Sequence, residues 1–248
     1  MLSSITSTIQ SLLFPEGAGC PLCGRRGSPL HICQVCLEMW AELADGLVPC
    51  ERCGRFQNET EGENICQDCR NSDSPYYIAR GVAPYEGPVR DAMHNFKFCG
   101  RRDLAYPFGE LIASLAVSLF PVRSIAAVIP VPLHEERLRE RGFNQAALLS
   151  ERVSRILKIP LSEEALIRTR ETPSQTSLSR EQRLANLKGV FEVGKDALWL
   201  EGKDVLLVDD VYTTGATVQE CSKVLKTSGV REIYVVTLAS GILVSSRY

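Results

Sequence analysis

The last two thirds of the chain alternate short apolar runs with longer amphipathic stretches. Residues 205–208, Val-Leu-Leu-Val, form one such run, which reads as a strand buried on both faces and ending at the acidic pair Asp209-Asp210. A turn of small residues follows. Val218, Cys221, Val224 and Leu225 then recur at helical spacing until Gly229 closes the helix. Residues 125–130 and 232–238 predict two more buried strands, and Tyr77, Ile78 and Val82 give strand character to 76–85. Gly87-Pro88 predicts a turn, and helices are expected over 89–98, 103–119 and 144–157. From 166 to 193 the pattern reads strand, polar loop, short helix, strand, with Ser179 and Gln182 spaced as a capping box. Residues 3–14 carry roughly one apolar face and are expected to form a short helix packed on its own protein. The polar stretch 71–75 marks a boundary, dividing the chain into an N-terminal module, 1–74, and an α/β domain, 75–248.

At 248 residues the chain has room for one such domain plus a small module. A formal charge of −2 gives no global attraction for nucleic acid or acidic membranes and leaves only local basic patches. The longest apolar region, 111–133, is broken by Pro121 and Arg123, so no membrane span is expected. Residues 1–14 lack the basic start and long apolar core of a signal peptide, which points to the cytoplasm.

The cysteines change the picture of the module. Of ten, eight lie in four Cys-x-x-Cys pairs, and this favours metal sites over a disulfide framework. Two knuckles supply the four thiolates of one tetrahedral zinc site. The simplest pairing is sequential: Cys20, Cys23, Cys33 and Cys36, then Cys50, Cys53, Cys66 and Cys69. Interleaved pairing stays open, as does iron–sulfur ligation. A module this small buries little core, so two structural zinc ions would supply its folding free energy. Residues 37–43 read as a short helix between the sites, and His31 as loop. Cys99 and Cys221 read as free, buried thiols.

The candidate chemistry sits after strands. Ligands of open α/β sheets bind beyond the strands' carboxyl ends. Asp209 and Asp210 at about 5 Å would repel by roughly 3 kcal/mol at an effective dielectric near 20, and a sugar diol with Mg²⁺ can compensate them. Thr213, Thr214, Gly215, Ala216 and Thr217 suit a phosphate: hydroxyls, free amides at a helix start, and a glycine permitting close backbone approach. Acidic pair then phosphate turn suggests a ribose 5-phosphate group. An Asp-Asp pair after an apolar run also marks response-regulator receivers, but there it lies near the domain's start. After residue 130, Val131, Pro132, Leu133 and His134 form a stiff loop beside Arg137 and Arg141, suited to a second anion. Lys97, Arg101 and Arg102 make a basic corner. Arg170, Gln175, Arg180 and Arg183 lie in a polar segment with the composition of a mobile lid.

The stretch 204–217 resembles the signature with which type I phosphoribosyltransferases bind 5-phosphoribosyl 1-pyrophosphate (PRPP). The order Pro-Val-Pro-Leu-His, Arg-Gly-Phe-Asn-Gln, Arg-Thr-x-x-x-x-Ser-Gln, Arg-x-x-x-Leu-x-x-x-Phe and Val-Asp-Asp-Val-x-Thr-Thr-Gly-Ala-Thr is similar to the ComF family across essentially the whole chain. That resemblance implies a type I phosphoribosyltransferase fold, a mostly parallel sheet flanked by helices, behind a double zinc ribbon. It implies Mg²⁺-dependent PRPP binding, with the diol on Asp209 and Asp210, the 5-phosphate on 213–217, pyrophosphate at 131–141 and the 170–183 lid closing over it. It also implies an association with DNA uptake in natural competence. Transfer to an unidentified acceptor, a PRPP- or nucleotide-sensing role without catalysis, and single-stranded DNA binding with competence proteins stay open, as does the oligomeric state. The C-terminal part is also similar to the synthase half of amidophosphoribosyltransferases, but no Cys follows Met1 to head a glutamine-hydrolysing domain.

Overall fold

The computed structural model describes residues 19–59, 64–172 and 180–243, with side chains left aside at 180, 181, 183 and 184. The 3–14 segment, Gln175, Ser179 of the expected capping box, the side chains of Arg180 and Arg183, and the tail lie outside what it describes.

Two short strands, β1 (Leu47–Pro49) and β2 (Phe56–Asn58), pair antiparallel in the N-terminal module. The domain is built on β3 (Ile78–Pro84), β4 (Ile125–Pro130), a small hairpin of β5 (Leu166–Arg168) and β6 (Phe191–Val193), β7 (Asp204–Tyr212) and β8 (Ile233–Ser240). β3, β8, β7 and β4 form, in that order, a parallel four-stranded sheet. Val205, Leu206, Leu207 and Val208 are fully buried, because a parallel sheet is covered on both faces. Alternation sorts them. Leu206 and Val208 join Phe96, Phe108, Ile112 and Leu149 in one hydrophobic cluster. Val205 and Leu207 join Val218, Cys221, Leu225 and Phe191 in the other.

Helices Gly87–Phe98, Ala105–Leu119 and Gln145–Leu157 supply the first cluster, and Ala216–Thr227 with the β5–β6 hairpin the second. Gly87-Pro88, expected to be a turn, instead opens its helix, since proline's missing N–H costs nothing in a first turn. The arginine segment after the proline loop holds an unpredicted short helix, Glu135–Arg141. Cys221 is buried as expected, whereas Cys99 is exposed: it caps the end of Gly87–Phe98, where its side chain leaves the core. Among the described residues no helix is long and apolar enough to cross a membrane.

β7 runs further than its pattern predicts. The strand carries through Asp209 and Asp210 to Tyr212, because β8 is long enough to pair Asp209 with Thr237 and Tyr212 with Ser240. On its other side β4 stops at Pro130, opposite Val208. Beyond that point β7 has an open edge, and there the sheet makes room for a ligand.

Candidate functional site

That opening is a cavity of about 560 Å³. Asp209, Asp210, Thr213 and Thr217 line it from β7 and its turn. Val131, Pro132, Leu133, Arg137 and Arg141 line it from the proline loop and the helix after it. Two segments some 80 residues apart in sequence therefore meet across one space. Asn144 helps to hold them. Its side chain caps Gln145–Leu157 by accepting from the Ala146 amide at 3.0 Å and donates to the Val131 carbonyl at 3.1 Å, so helix start and proline loop are fastened together. The Val131 amide in turn donates to the Val208 carbonyl at 2.9 Å. His134 plays a different part: its Nδ1 accepts from the Glu136 amide at 3.4 Å, capping the short helix.

The acidic pair is compensated on one side only. Asp210 meets Lys97 at 2.9 Å, both side chains mostly buried. Asp209 Oδ1 accepts from the Asp210 amide at 2.8 Å. Burial, and then the neighbouring Asp210 charge, push the Asp209 carboxyl up to about 7, against the Asp210 amide, Lys97 and Arg168, which pull it down. A group so poised gains from a cation or a diol donor.

On the opposite wall, Arg137, Arg141 and Arg168 form no ion pair with a carboxylate among the described residues. Arg141 donates to Gln145 at 3.2 Å and lies over the Phe98 ring at 4.9 Å. Arg168 donates to Thr172 Oγ1 at 2.7 Å, and Arg137 to the Thr172 carbonyl at 3.3 Å. Burial lowers the pKa of Arg141 and of Arg168, and Arg137 lowers both further. Mutually repelling, poorly solvated guanidiniums beside an open cavity are a site for a multiply charged anion. Arg170 turns away: it donates to the carbonyls of Lys188 and Gly189 at 2.9 and 3.0 Å.

At the turn, Gly215 has φ 79° and precedes Ala216–Thr227. A Cβ there would overlap the hydroxyl and ring of Tyr212, so glycine is required by the left-handed backbone and by this packing. Thr214 Oγ1 accepts from the Ala216 amide at 3.5 Å. Thr213 and Thr217 face the cavity; Thr214, Gly215 and Ala216 shape the turn without lining it.

In the module the thiols gather as the two sequential sets, Cys20, Cys23, Cys33, Cys36 and Cys50, Cys53, Cys66, Cys69, each with its sulfurs within 4.8 Å of one another. A tetrahedral zinc at about 2.3 Å from each sulfur sets them about 3.8 Å apart. The separations of 4.0 Å for Cys20–Cys36, 3.6 Å for Cys23–Cys33 and 3.7 Å for Cys53–Cys66 fit such an ion, so both clusters could hold zinc. Buried Arg55 donates to Cys53 and Cys66 at 3.4 Å each and to Asp68 at 2.6 Å, placing positive charge where thiolates need it.

Lys97 and Arg168 are the site residues hardest to find in the sequence. Lys97 reads as part of a surface corner, and only the folded helix aims it at Asp210. Arg168 stands in the Arg-Thr pair of the lid motif, a signal that marks the segment but not which arginine faces inward.

Residues 144–242 match the phosphoribosyl transferase domain family. The chain is 34% identical over 209 residues to the DNA utilization protein YhgH of Escherichia coli K12, covering 82% of this chain and 88% of that one. It is 45% identical over 178 residues to competence protein F of Haemophilus influenzae, covering 70% and 77%. Among solved structures, Leishmania donovani UMP synthase aligns with 81% of this chain at 17% identity and a TM-score of 0.30; the chain spans 30% of that protein's length.

Proposed function

Since this chain belongs to the competence protein F (ComF) family of phosphoribosyltransferase-like proteins, we propose that its cavity binds PRPP with Mg²⁺ and transfers the phosphoribosyl group to an acceptor in the handling of incoming DNA. The observation that carries the reading is the meeting of an acidic pair, a helix-start turn and an arginine-lined proline loop around one space. The ribose diol would donate to Asp209 and Asp210. The 5-phosphate would take the hydroxyls of Thr213 and Thr217 and amides at the start of the helix. The pyrophosphate would lie along 131–134, facing Arg137, Arg141 and Arg168.

In transfer, the bond between C1 and the pyrophosphate oxygen breaks, its electron pair leaves with pyrophosphate, and the acceptor's nucleophile bonds to C1. Fixed guanidiniums at the departing oxygens stabilise the charge that builds there. A divalent ion bound with the substrate would add positive charge beside the diol. Zinc in the two Cys₄ clusters would be structural.

Isothermal titration of PRPP with and without Mg²⁺ tests this. Binding with Mg²⁺, abolished by the double change Asp209→Asn/Asp210→Asn, is the expected result; no heat under either condition refutes it.

A second reading, single-stranded DNA held at the cavity mouth, is favoured by Phe98. Its large ring is 60% exposed beside Arg141, a combination that stacks a base and meets a phosphate. DNA binding with a steep salt slope that survives Asp209→Asn/Asp210→Asn would favour this reading over the first.

A further inference from the structure

We infer that the second Cys₄ cluster forms part of the frame of the phosphate turn, with Tyr76 and Tyr212 as the positioning residues that join them. The inference rests on the reading that 213–217 hold a phosphate, but the coupling itself does not require it.

The two clusters sit in different surroundings. Cys20 and Cys36 pack with Trp40 and Phe108 against the helices of one face. Cys50, Cys53, Cys66 and Cys69 are all buried in the other hydrophobic cluster, together with Tyr76, Tyr212 and Ala216. From this second cluster two connections reach the turn.

The first runs through the backbone. The Cys50 knuckle closes through the Cys50 amide on the Arg55 carbonyl at 2.8 Å and delivers the chain to β2. There the Phe56 amide donates to the Gly241 carbonyl at 3.0 Å, and Phe56 accepts from Leu243 at 2.7 Å. The Gly241 amide donates to the Tyr212 carbonyl at 2.7 Å, one residue before Thr213 enters the cavity wall. The knuckle also grips β3: the Ala79 amide donates to Arg52, and Arg80 donates to the carbonyls of Cys50 and Glu51.

The second connection runs through side chains. Tyr76 and Tyr212 are each 3% exposed and share a 2.7 Å hydroxyl–hydroxyl hydrogen bond. Gly215 rests directly on the Tyr212 ring and hydroxyl. Tyr212 therefore sets where the turn lies, and Tyr76 sets where Tyr212 lies.

β1 and β2 are three residues each, too short to keep the knuckle folded alone. A metal in the cluster would hold it. Losing that ion would release β2 from Gly241 and loosen the packing around Tyr76. Losing the first cluster's ion would leave both connections in place.

The test compares four full-length proteins, each prepared with excess zinc: wild type, Cys66→Ser/Cys69→Ser, Cys33→Ser/Cys36→Ser and Tyr212→Phe. Each is titrated calorimetrically with ribose 5-phosphate, and amide hydrogen exchange is followed at 213–219 without ligand. Zinc content is measured alongside. Expected are about tenfold weaker ribose 5-phosphate binding, roughly the loss of one or two hydrogen bonds, and faster exchange in the second-cluster variant and in Tyr212→Phe. Tyr212→Phe should keep both zinc ions, and the first-cluster variant should match wild type in both readouts. Equal effects from the two cysteine variants would overturn the inference. So would wild-type exchange and binding in Tyr212→Phe, which retains its metal and so decides the matter even if a cysteine variant does not fold. If wild type binds no ribose 5-phosphate but the exchange pattern appears as stated, the phosphate reading fails and the coupling stands.

Discussion

Gly215→Ala offers a quantitative test of how the turn is built. The new methyl group would sit where the backbone is left-handed, φ 79°, which costs about 1–2 kcal/mol for a residue other than glycine. It would also overlap the hydroxyl and ring of buried Tyr212. Displacing it breaks the hydrogen bond to Tyr76, and leaving a buried hydroxyl unpaired costs about 1–3 kcal/mol. The sum is about 2–5 kcal/mol, a large share of the roughly 5–15 kcal/mol that holds a domain folded. Urea unfolding of the zinc-loaded protein, followed by far-ultraviolet circular dichroism, measures it. In a Tyr212→Ala background the collision is gone, and the cost of the same change should fall to the backbone strain alone. A cost within about 0.5 kcal/mol of zero, or an equal cost in both backgrounds, would refute this account of the turn.

Other expectations follow from charge and exposure. The Asp209 carboxyl is raised to about 7, so the stability it contributes to the ligand-free protein is present below its ordinary range near 3.8 and is lost as pH rises through 7. Asp209→Asn should remove this loss, and thermal melts at pH 5 and pH 8 compare them; an unchanged pH dependence in the variant would count against the buried acidic pair. Asp204 behaves oppositely. Its bond to Arg231, with both carboxylate oxygens at 2.7 Å, holds its pKa down. The stability from that group is present above the unfolded carboxylate range and is lost as pH falls through the depressed value, so Arg231→Ala should lower stability near pH 6 and lose the difference in strong acid. Phe98→Ala should weaken single-stranded DNA binding by about 1–3 kcal/mol with an unaltered salt slope, if a base stacks there; filter binding over a salt series reads both.

The parallel sheet was legible because its strands include continuous apolar runs, and 125–130 and 205–208 need no partner to be recognised. The four cysteine knuckles were legible from spacing, but spacing left sequential and interleaved pairing open, and only the fold gathers them as the two sequential sets. Other features depend on long-range pairing that local pattern does not carry. β7 extends through Asp209 and Asp210 because β8 reaches Ser240, a property of another segment. Lys97 belongs to the acidic pair because the fold brings the end of its helix to Asp210, and nothing near Lys97 in sequence says so. The short helix Glu135–Arg141 is rich in charge and has no buried face, so periodicity gave no sign of it. The module is expected from sequence to be a unit joined at a polar linker, yet its second cluster lies in the domain's own core.

Two anion cradles flanking one acidic pair are the core of the proposed site. Hydrogen exchange with ribose 5-phosphate and with inorganic pyrophosphate, each added alone with Mg²⁺, addresses that most directly. Ribose 5-phosphate should slow exchange at 213–219 and leave 131–134 unchanged, and pyrophosphate should do the reverse. Protection of neither segment, or of the same segment by both, would contradict it.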